Sequence, residues 1–301
     1  MQTLGPDVAA TEVSRSFLFV PADSEKKLAK AKDSGADALI VDLEDSVAAA
    51  ARPAARGLAS EFLGAGAKAE LWVRINPLDS SDALDDLRQV MPAAPFGIVL
   101  PKPVGARDAN QLAKILEVLE QECGLNPGQT RILPISTERP VAIFGLHEYA
   151  EATPRLAGLT WGAEDLSAAV GATASRDDNG NWLAPYQLAR SLCLFAAAAA
   201  SVPAIDTVYT DYKDLQGLAQ YAENARRDGF EGMLAIHPDQ VAVINDAFVP
   251  ASGEIERAQK IIDLFAANPD AGALGMDGEM IDRPHWVQAK RILDTAARLK
   301  R

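Results

Sequence analysis

"GIVLPKPVGARDANQLAKILEVLEQECGLNPGQTRILPISTERP", residues 97–140, holds one complete unit of the fold. Its first part, GIVLPK (97–102), is apolar until Lys102. A run without polar alternation fits a strand buried on both faces. DANQLAKILEVLEQE then places Leu112, Leu116 and Leu119 at helical spacing on one side. RILPIST (131–137) is a second strand, with Ile132, Leu133 and Ile135 to bury. It ends in Ser136, Thr137, Glu138 and Arg139, closed by Pro140, so a buried strand delivers a carboxylate at its tip.

The same unit repeats outward in both directions. Upstream lie SFLFVP (16–21), ALIVDLED (38–45) and ELWVRIN (70–76); downstream lie LAGLTWG (156–162), AIDTVY (from Ala204) and GMLAIHP (232–238). Gly35, Gly97, Gly158 and Gly229 punctuate the joints. Eight strand–helix repeats without a long linker predict an α/β fold, a closed (β/α)8 TIM barrel over residues 15–250. Residues 251–301 read as a C-terminal helical extension, with helices near 254–267 and 284–299. The Gly- and Asp-rich stretch between them, NPDAGALGMDGEMIDRPH, reads as a loop too polar to seal a core of its own. This extension is expected to dock on a neighbouring subunit.

Apolar residues make up 48% of the 301-residue chain, enough for a sizeable core. The net charge of −13 argues against nucleic acid as the main partner, because phosphate binding needs basic patches. Cys123 and Cys193 lie far apart, outside any CxxC spacing, and read as reduced thiols of a cytoplasmic protein. SLCLFAAAAASVPA (191–204) is short and Ala-rich for a membrane span and reads as a buried helix. MQTLGPDVAATEVS, at the N-terminus, lacks the basic start and apolar core of a secretory signal.

In an eight-stranded barrel the chemistry sits at the C-terminal strand ends. Those ends carry Asp42, Glu44 and Asp45; Arg74 and Asn76; Lys102; Glu138; Glu164 and Asp165; and His237. Carboxylates gathered in a small cavity raise one another's pKa and call for a counter-charge. Oxygen-only ligands favour Mg²⁺ or Mn²⁺, and no His/Cys cluster suggests zinc. Taken singly, each acid also reads as a helix cap or loop charge, Asp45 before Ser46 and Asp165 before Ser167 above all. His237 before Pro238 reads as a core or turn histidine. Lys102, between Pro101 and Pro103, is open to a solvated or a Schiff-base role. The joint occurrence on one face favours the metal.

SFLFVPADSEKKLAKAKDSGADALIVDLEDSV, WVRIN, GIVLPK, WGAEDLSAAVG, AIHPDQVAVINDAF and GEMIDRPH together resemble the citrate lyase beta subunit-like family. This is a branch of the HpcH/HpaI aldolase/citrate lyase superfamily related to malyl-CoA and citramalyl-CoA lyases. The similarity runs from about residue 15 to 299. It implies a Mg²⁺-dependent carbon–carbon lyase joining or separating an acyl-CoA thioester and a 2-oxo acid, assembled as a homotrimer or hexamer. It implies that Arg74 grips the 2-oxo acid carboxylate, that Asp165 is a metal ligand, and that Asp282 reaches a neighbouring subunit's site as acid/base. Asp42 and Glu44 join the catalytic set as partners that orient Arg74 or a metal-bound water. Two other outcomes stay open: an acyl-CoA thioesterase of the same family, and a citrate lyase beta-type subunit acting on a carrier-protein thioester or without independent activity. The family's second metal carboxylate is expected at Ser136, and Glu138 follows two residues later. Residues i and i+2 of a strand share a face, so Glu138 is assigned as the ligand, moved about 7 Å along the strand. The basic cluster EKKLAKAK (25–32) reads either as a contact for coenzyme A phosphates or as a solvated helix face.

Overall fold

The computed structural model describes residues 14–178 and 180–299. The N-terminal reading of the sequence therefore lies outside the described residues for Met1–Val13. The chain forms two compact units, 14–245 and 246–299.

The first unit is built on eight parallel strands: β1 Ser16–Pro21, β2 Ala38–Asp42, β3 Glu70–Arg74, β4 Gly97–Leu100, β5 Arg131–Pro134, β6 Leu159–Thr160, β7 Ala204–Asp206 and β8 Gly232–Ala235. They run in the order β5-β4-β3-β2-β1-β8-β7-β6. Parallel bridges Ile132↔Leu156 and Ile135↔Thr160 bring β5 back to the β6 side, so the sheet closes on itself as a barrel. Every residue of β2, β4, β7 and β8 is buried, the reason these strands read as unbroken apolar runs.

Alternate residues fill the barrel. Phe17, Ala38, Ile40, Trp72, Val99, Leu133, Ile135, Ile205 and Leu234 form one core cluster. Trp72 reaches across to Gly97, where a Cβ would stand 2.3 Å from the indole ring. The same alternation carries Asp42 two residues past Ile40, and Arg74 two past Trp72, onto the inward face at the C-terminal end. Outside, the helix Ala106–Cys123 buries Ala109, Leu112, Leu116 and Leu119 and stops at Gly124, whose φ of 69° is left-handed. Glu120 on this helix accepts both terminal nitrogens of Arg155 at 2.7 Å, as well as Gly128 N and Thr130 N, which secures the approach to β5.

The Ala-rich run forms the helix Ala184–Ala199, which buries Tyr186, Ala189, Cys193, Ala196 and Ala197 while Leu188 and Phe195 stay exposed. The reading as a buried helix therefore holds for one face. No helix among the described residues is long and apolar enough to cross a membrane.

In the second unit, helices Ser252–Ala267 and Arg283–Arg298 flank an antiparallel hairpin, β9 Ala273–Met276 and β10 Glu279–Asp282. The stretch read as a loop is thus partly sheet. Asp277 (φ 52°) and Gly278 (φ 85°) make its turn, and an Asp-Gly pair of this kind is the sequence signal that should have announced it. The unit also has a core of its own: Ala258, Ile261, Ile281 and Ala289, with Ile262, Phe265 and Leu293 against them. The expectation that this polar stretch seals nothing is corrected accordingly.

Candidate active site

Arg74 is where the strand ends converge. Its Nε and Nη2 donate to the two oxygens of Asp42, each at 2.7 Å, across the β2–β3 register pair Asp42↔Arg74. Its Nη1 lies 3.2 Å from Glu44 Oε2, and its guanidinium stacks 4.7 Å from the Phe19 ring. Burial works against the charge on Arg74, but Asp42 and then Glu44 outweigh it, so the pKa moves up. Asp42 is buried too. Burial pushes its carboxyl up, while Arg74 and the N–H groups of Ser46 and Glu44 hold it below the ordinary value. Asp42 thereby fixes one edge of the guanidinium. The N–H groups left on Nη1 and Nη2 form a planar fork for a carboxylate.

Asn76 plays a structural part. Its buried side chain donates to the Leu43 carbonyl at 3.0 Å and to Asp86 at 2.8 Å, and Asp86 in turn takes Arg56 Nε at 2.7 Å. This holds the turn that carries Glu44 and Asp45.

Lys102 is the residue that sequence reasoning undervalued. Its Nζ donates to Glu44 Oε1 at 2.5 Å and to Asp45 Oδ2 at 2.9 Å, and lies 3.3 Å from Asp165 Oδ1. Its backbone N–H donates to Glu138 Oε2. Its φ of 50° is left-handed, a conformation that costs a non-glycine residue about 1–2 kcal/mol. Burial opposes its charge, but Glu44 and Asp45 outweigh it and raise the pKa. A lysine held charged is not a Schiff-base nucleophile, and a half-buried one is not a solvated one. The sequence signal was its place between two prolines at a strand end.

Glu138 enters the cluster by a different route from the one expected. β5 ends at Pro134, and the chain turns through Ser136 and Thr137. Ser136 Oγ donates to Thr160 O at 2.9 Å and meets Cys193 Sγ at 3.5 Å, so position 136 faces the helix Ala184–Ala199. Glu138 points instead at Lys102 N. The two residues do not share a strand face. Gly162 makes the room: a Cβ there would stand 2.6 Å from Glu138 Cγ. The Gly162 N–H donates to Thr137 Oγ1 at 3.1 Å, tying the turn to the end of β6.

Asp165 lies in the first turn of the helix Ala163–Ala169, which has no side-chain cap, and its carboxylate is partly exposed. Asp45 likewise pairs with Lys102 rather than capping a helix. Glu164 is exposed. His237 stacks 4.9 Å from Tyr212 and accepts the Asp239 N–H, as a turn histidine does. Lys26, Lys27, Lys30 and Lys32 are exposed. Asp282 belongs to the other unit, with His285 Nδ1 2.6 Å from its Oδ1.

The cluster suits a divalent cation. Glu138 is buried, and burial, then the charges of Asp165 and Glu44, push its carboxyl up to about 8. Glu44 Oε2 is buried without a hydrogen bond, its nearest counter-charge being Arg74 Nη1 at 3.2 Å. Among the described residues no three His, Cys, Asp or Glu side chains converge as a ready-made metal cage. A pair of carboxylates such as Glu138 and Asp165, the latter ion-paired with Lys102 at 3.3 Å, fits Mg²⁺, which takes one or two from the protein and fills its octahedron with water and substrate oxygens.

The chain is similar to several known proteins. The chain is 32% identical over 289 residues to the citrate lyase subunit beta of Haemophilus influenzae, covering 95% of this chain and 97% of that one. It is 32% identical to a (3S)-malyl-CoA thioesterase of Cereibacter sphaeroides, covering 94% of both chains. The crystal structure of CitE from Mycobacterium tuberculosis, in complex with magnesium, acetoacetate and coenzyme A, superposes with a TM-score of 0.78 at 31% identity, covering 95% of this chain and 100% of that one. The family model HpcH/HpaI aldolase/citrate lyase matches residues 15–238, and the chain belongs to that family.

Proposed function

We propose that the protein is a Mg²⁺-dependent carbon–carbon lyase that cleaves or forms a 3-hydroxyacyl-CoA of the malyl-, citramalyl- or citryl-CoA type, with an acyl-CoA and a 2-oxo acid as the other side of the reaction. The observation that carries this reading is the placement of a carboxylate-clamped guanidinium, Arg74, beside the crowded carboxylates Glu138 and Glu44 at one end of the barrel. The relative with magnesium, an oxo acid and coenzyme A bound supports the same ligand classes here.

Glu138 and Asp165 would hold the cation, Mg²⁺ or Mn²⁺, which when bound supplies Lewis-acid polarisation of the oxo-acid carbonyl. Arg74 binds the oxo-acid carboxylate through the N–H groups that remain on Nη1 and Nη2, and Asp42 keeps the guanidinium from rotating. Glu44 and Lys102 keep the neighbouring charge balanced. On cleavage the substrate hydroxyl gives its proton to solvent, its oxygen becomes the carbonyl of the oxo acid, and the C–C bond breaks with its electron pair on the acyl fragment, giving a thioester enolate. Asp282, contributed by a neighbouring subunit of a trimer or hexamer, protonates the enolate carbon, and in condensation it removes the same proton. The cytoplasm, where coenzyme A thioesters and reduced cysteines occur together, is the proposed setting.

A second reading has a specific support in the malyl-CoA thioesterase relative: hydrolysis of the thioester at the same site. Purified protein with Mg²⁺ is to be assayed on malyl-, citramalyl- and citryl-CoA, with separate detection of oxo acid and free thiol. Release of oxo acid with the thioester intact supports the lyase; release of thiol with an intact hydroxy acid supports the thioesterase. No product from any of the three refutes both and leaves the carrier-protein subunit.

A further inference from the structure

We propose that Lys102 sets the affinity of the carboxylate cluster for a divalent cation and makes it depend on the arrival of an anionic oxo acid. The inference deepens the reading above and rests on Glu138 and Asp165 being the pair that holds the cation.

Lys102 touches both of those carboxylates, and by different groups. Its backbone N–H donates to Glu138 Oε2, while its ammonium lies 3.3 Å from Asp165 Oδ1. The same ammonium is bonded to Glu44 at 2.5 Å and Asp45 at 2.9 Å. Its side chain is 21% exposed, so bulk salt screens these pairs weakly. The left-handed backbone at Lys102 keeps the N–H and the side chain aimed into one cluster, a conformation that persists only where its surroundings fix it.

Two consequences follow from the charges. A fixed ammonium among the ligands lowers the negative potential that an incoming cation meets, and it competes directly for Asp165. An oxo acid gripped by Arg74 brings a carboxylate into the same space and restores that potential. Cation and oxo acid then strengthen one another's binding, and the coupling is reciprocal. Removing the ammonium should strengthen binding of the cation alone and shrink the gain from the oxo acid.

The test is calorimetric titration of Mg²⁺, with and without pyruvate, into the wild type and Lys102→Met, Lys102→Gln and Lys102→Arg. Circular dichroism and thermal unfolding check that each variant is folded. The expected result is Mg²⁺ binding on the order of tenfold tighter in the Met and Gln variants without pyruvate, with the pyruvate-linked gain reduced by a similar factor. Lys102→Arg, which keeps the charge, should keep the coupling. Unchanged or weaker Mg²⁺ binding in folded Lys102→Met and Lys102→Gln overturns the role of Lys102. Glu138→Gln separates this from the underlying reading: if it binds Mg²⁺ as the wild type does, the carboxylate pair itself is misassigned.

Discussion

Gly162→Ala tests the placement of Glu138 without touching its chemistry. The new Cβ would stand 2.6 Å from Glu138 Cγ and 3.2 Å from Ile135 Cγ2, whereas ordinary contact begins at 3.4 Å. Glu138 must therefore retreat by 0.8 Å, the difference between 3.4 and 2.6. The backbone at Gly162, with φ −114° and ψ 113°, accepts alanine without strain, so the whole effect is the side-chain clash. Glu138 is 3% exposed and has no open solvent to swing into. Overpacking of this kind costs about 1–3 kcal/mol of stability, which leaves a barrel domain folded. A displacement near 1 Å at a reacting centre costs on the order of 100-fold in rate. The expected outcome is a folded protein with a modestly lowered Tm, weakened Mg²⁺ binding and about 100-fold lower kcat on whichever thioester the wild type cleaves. The control is Gly57→Ala in the helix Arg52–Gly64, where an added Cβ meets nothing within 4 Å. It should gain about 0.5–1 kcal/mol of stability and keep full activity. Wild-type Mg²⁺ affinity and turnover in Gly162→Ala would show that the position of Glu138 does not matter to the reaction, and the assigned site would fall with it.

Arg74→Lys should lose most activity, because an ammonium cannot hold Asp42 edge-on and present a fork to a carboxylate at once. It also strands part of a buried carboxylate, so a stability loss of about 1–3 kcal/mol by denaturant titration accompanies it; near-wild-type kinetics would remove Arg74 from the site. Glu138→Gln keeps the shape of the residue and removes the charge, so calorimetry should show Mg²⁺ binding weakened in a folded barrel. At the opposite end of the chemistry, burial pushes the Glu120 carboxyl up, but Arg155 and the N–H groups of Thr130 and Gly128 outweigh it and hold it at about 2 against an ordinary 4.5. A depressed folded-state pKa stabilises above the unfolded value and loses that stability as pH falls toward 2, here about 3 kcal/mol in all. The Tm gap between wild type and Glu120→Gln should therefore be wide at pH 6 and narrow steadily below pH 4.5; a gap that does not change with pH would contradict it. Asp282→Asn should abolish exchange of the acyl-CoA α-proton with solvent deuterium while leaving Mg²⁺ binding intact, and a monomer by light scattering at micromolar concentration would rule out its service to a neighbouring subunit.

The sequence by itself determined the barrel. Strands buried on both faces cannot alternate polar and apolar residues, so runs such as ALIVD and GIVL, repeated at strand–helix spacing, left few other architectures. It also determined which strand ends carry charge, because polar residues that close an apolar run must sit where the barrel opens to solvent. What it could not supply was the direction of each side chain once a strand gives way to a turn. Period-two alternation predicts facing only while the backbone stays extended; the chain leaves β5 at Pro134, and Ser136 and Glu138 then part to opposite sides. Nor could it show that Lys102 gathers Glu44, Asp45 and Asp165, since those contacts span 57 residues or more and depend on a left-handed backbone that no local preference of lysine announces. The hairpin at Asp277–Gly278 was legible and passed over, whereas the room that Gly162 leaves for Glu138 was not: it exists only because closing the barrel brings the end of β6 against the turn after β5.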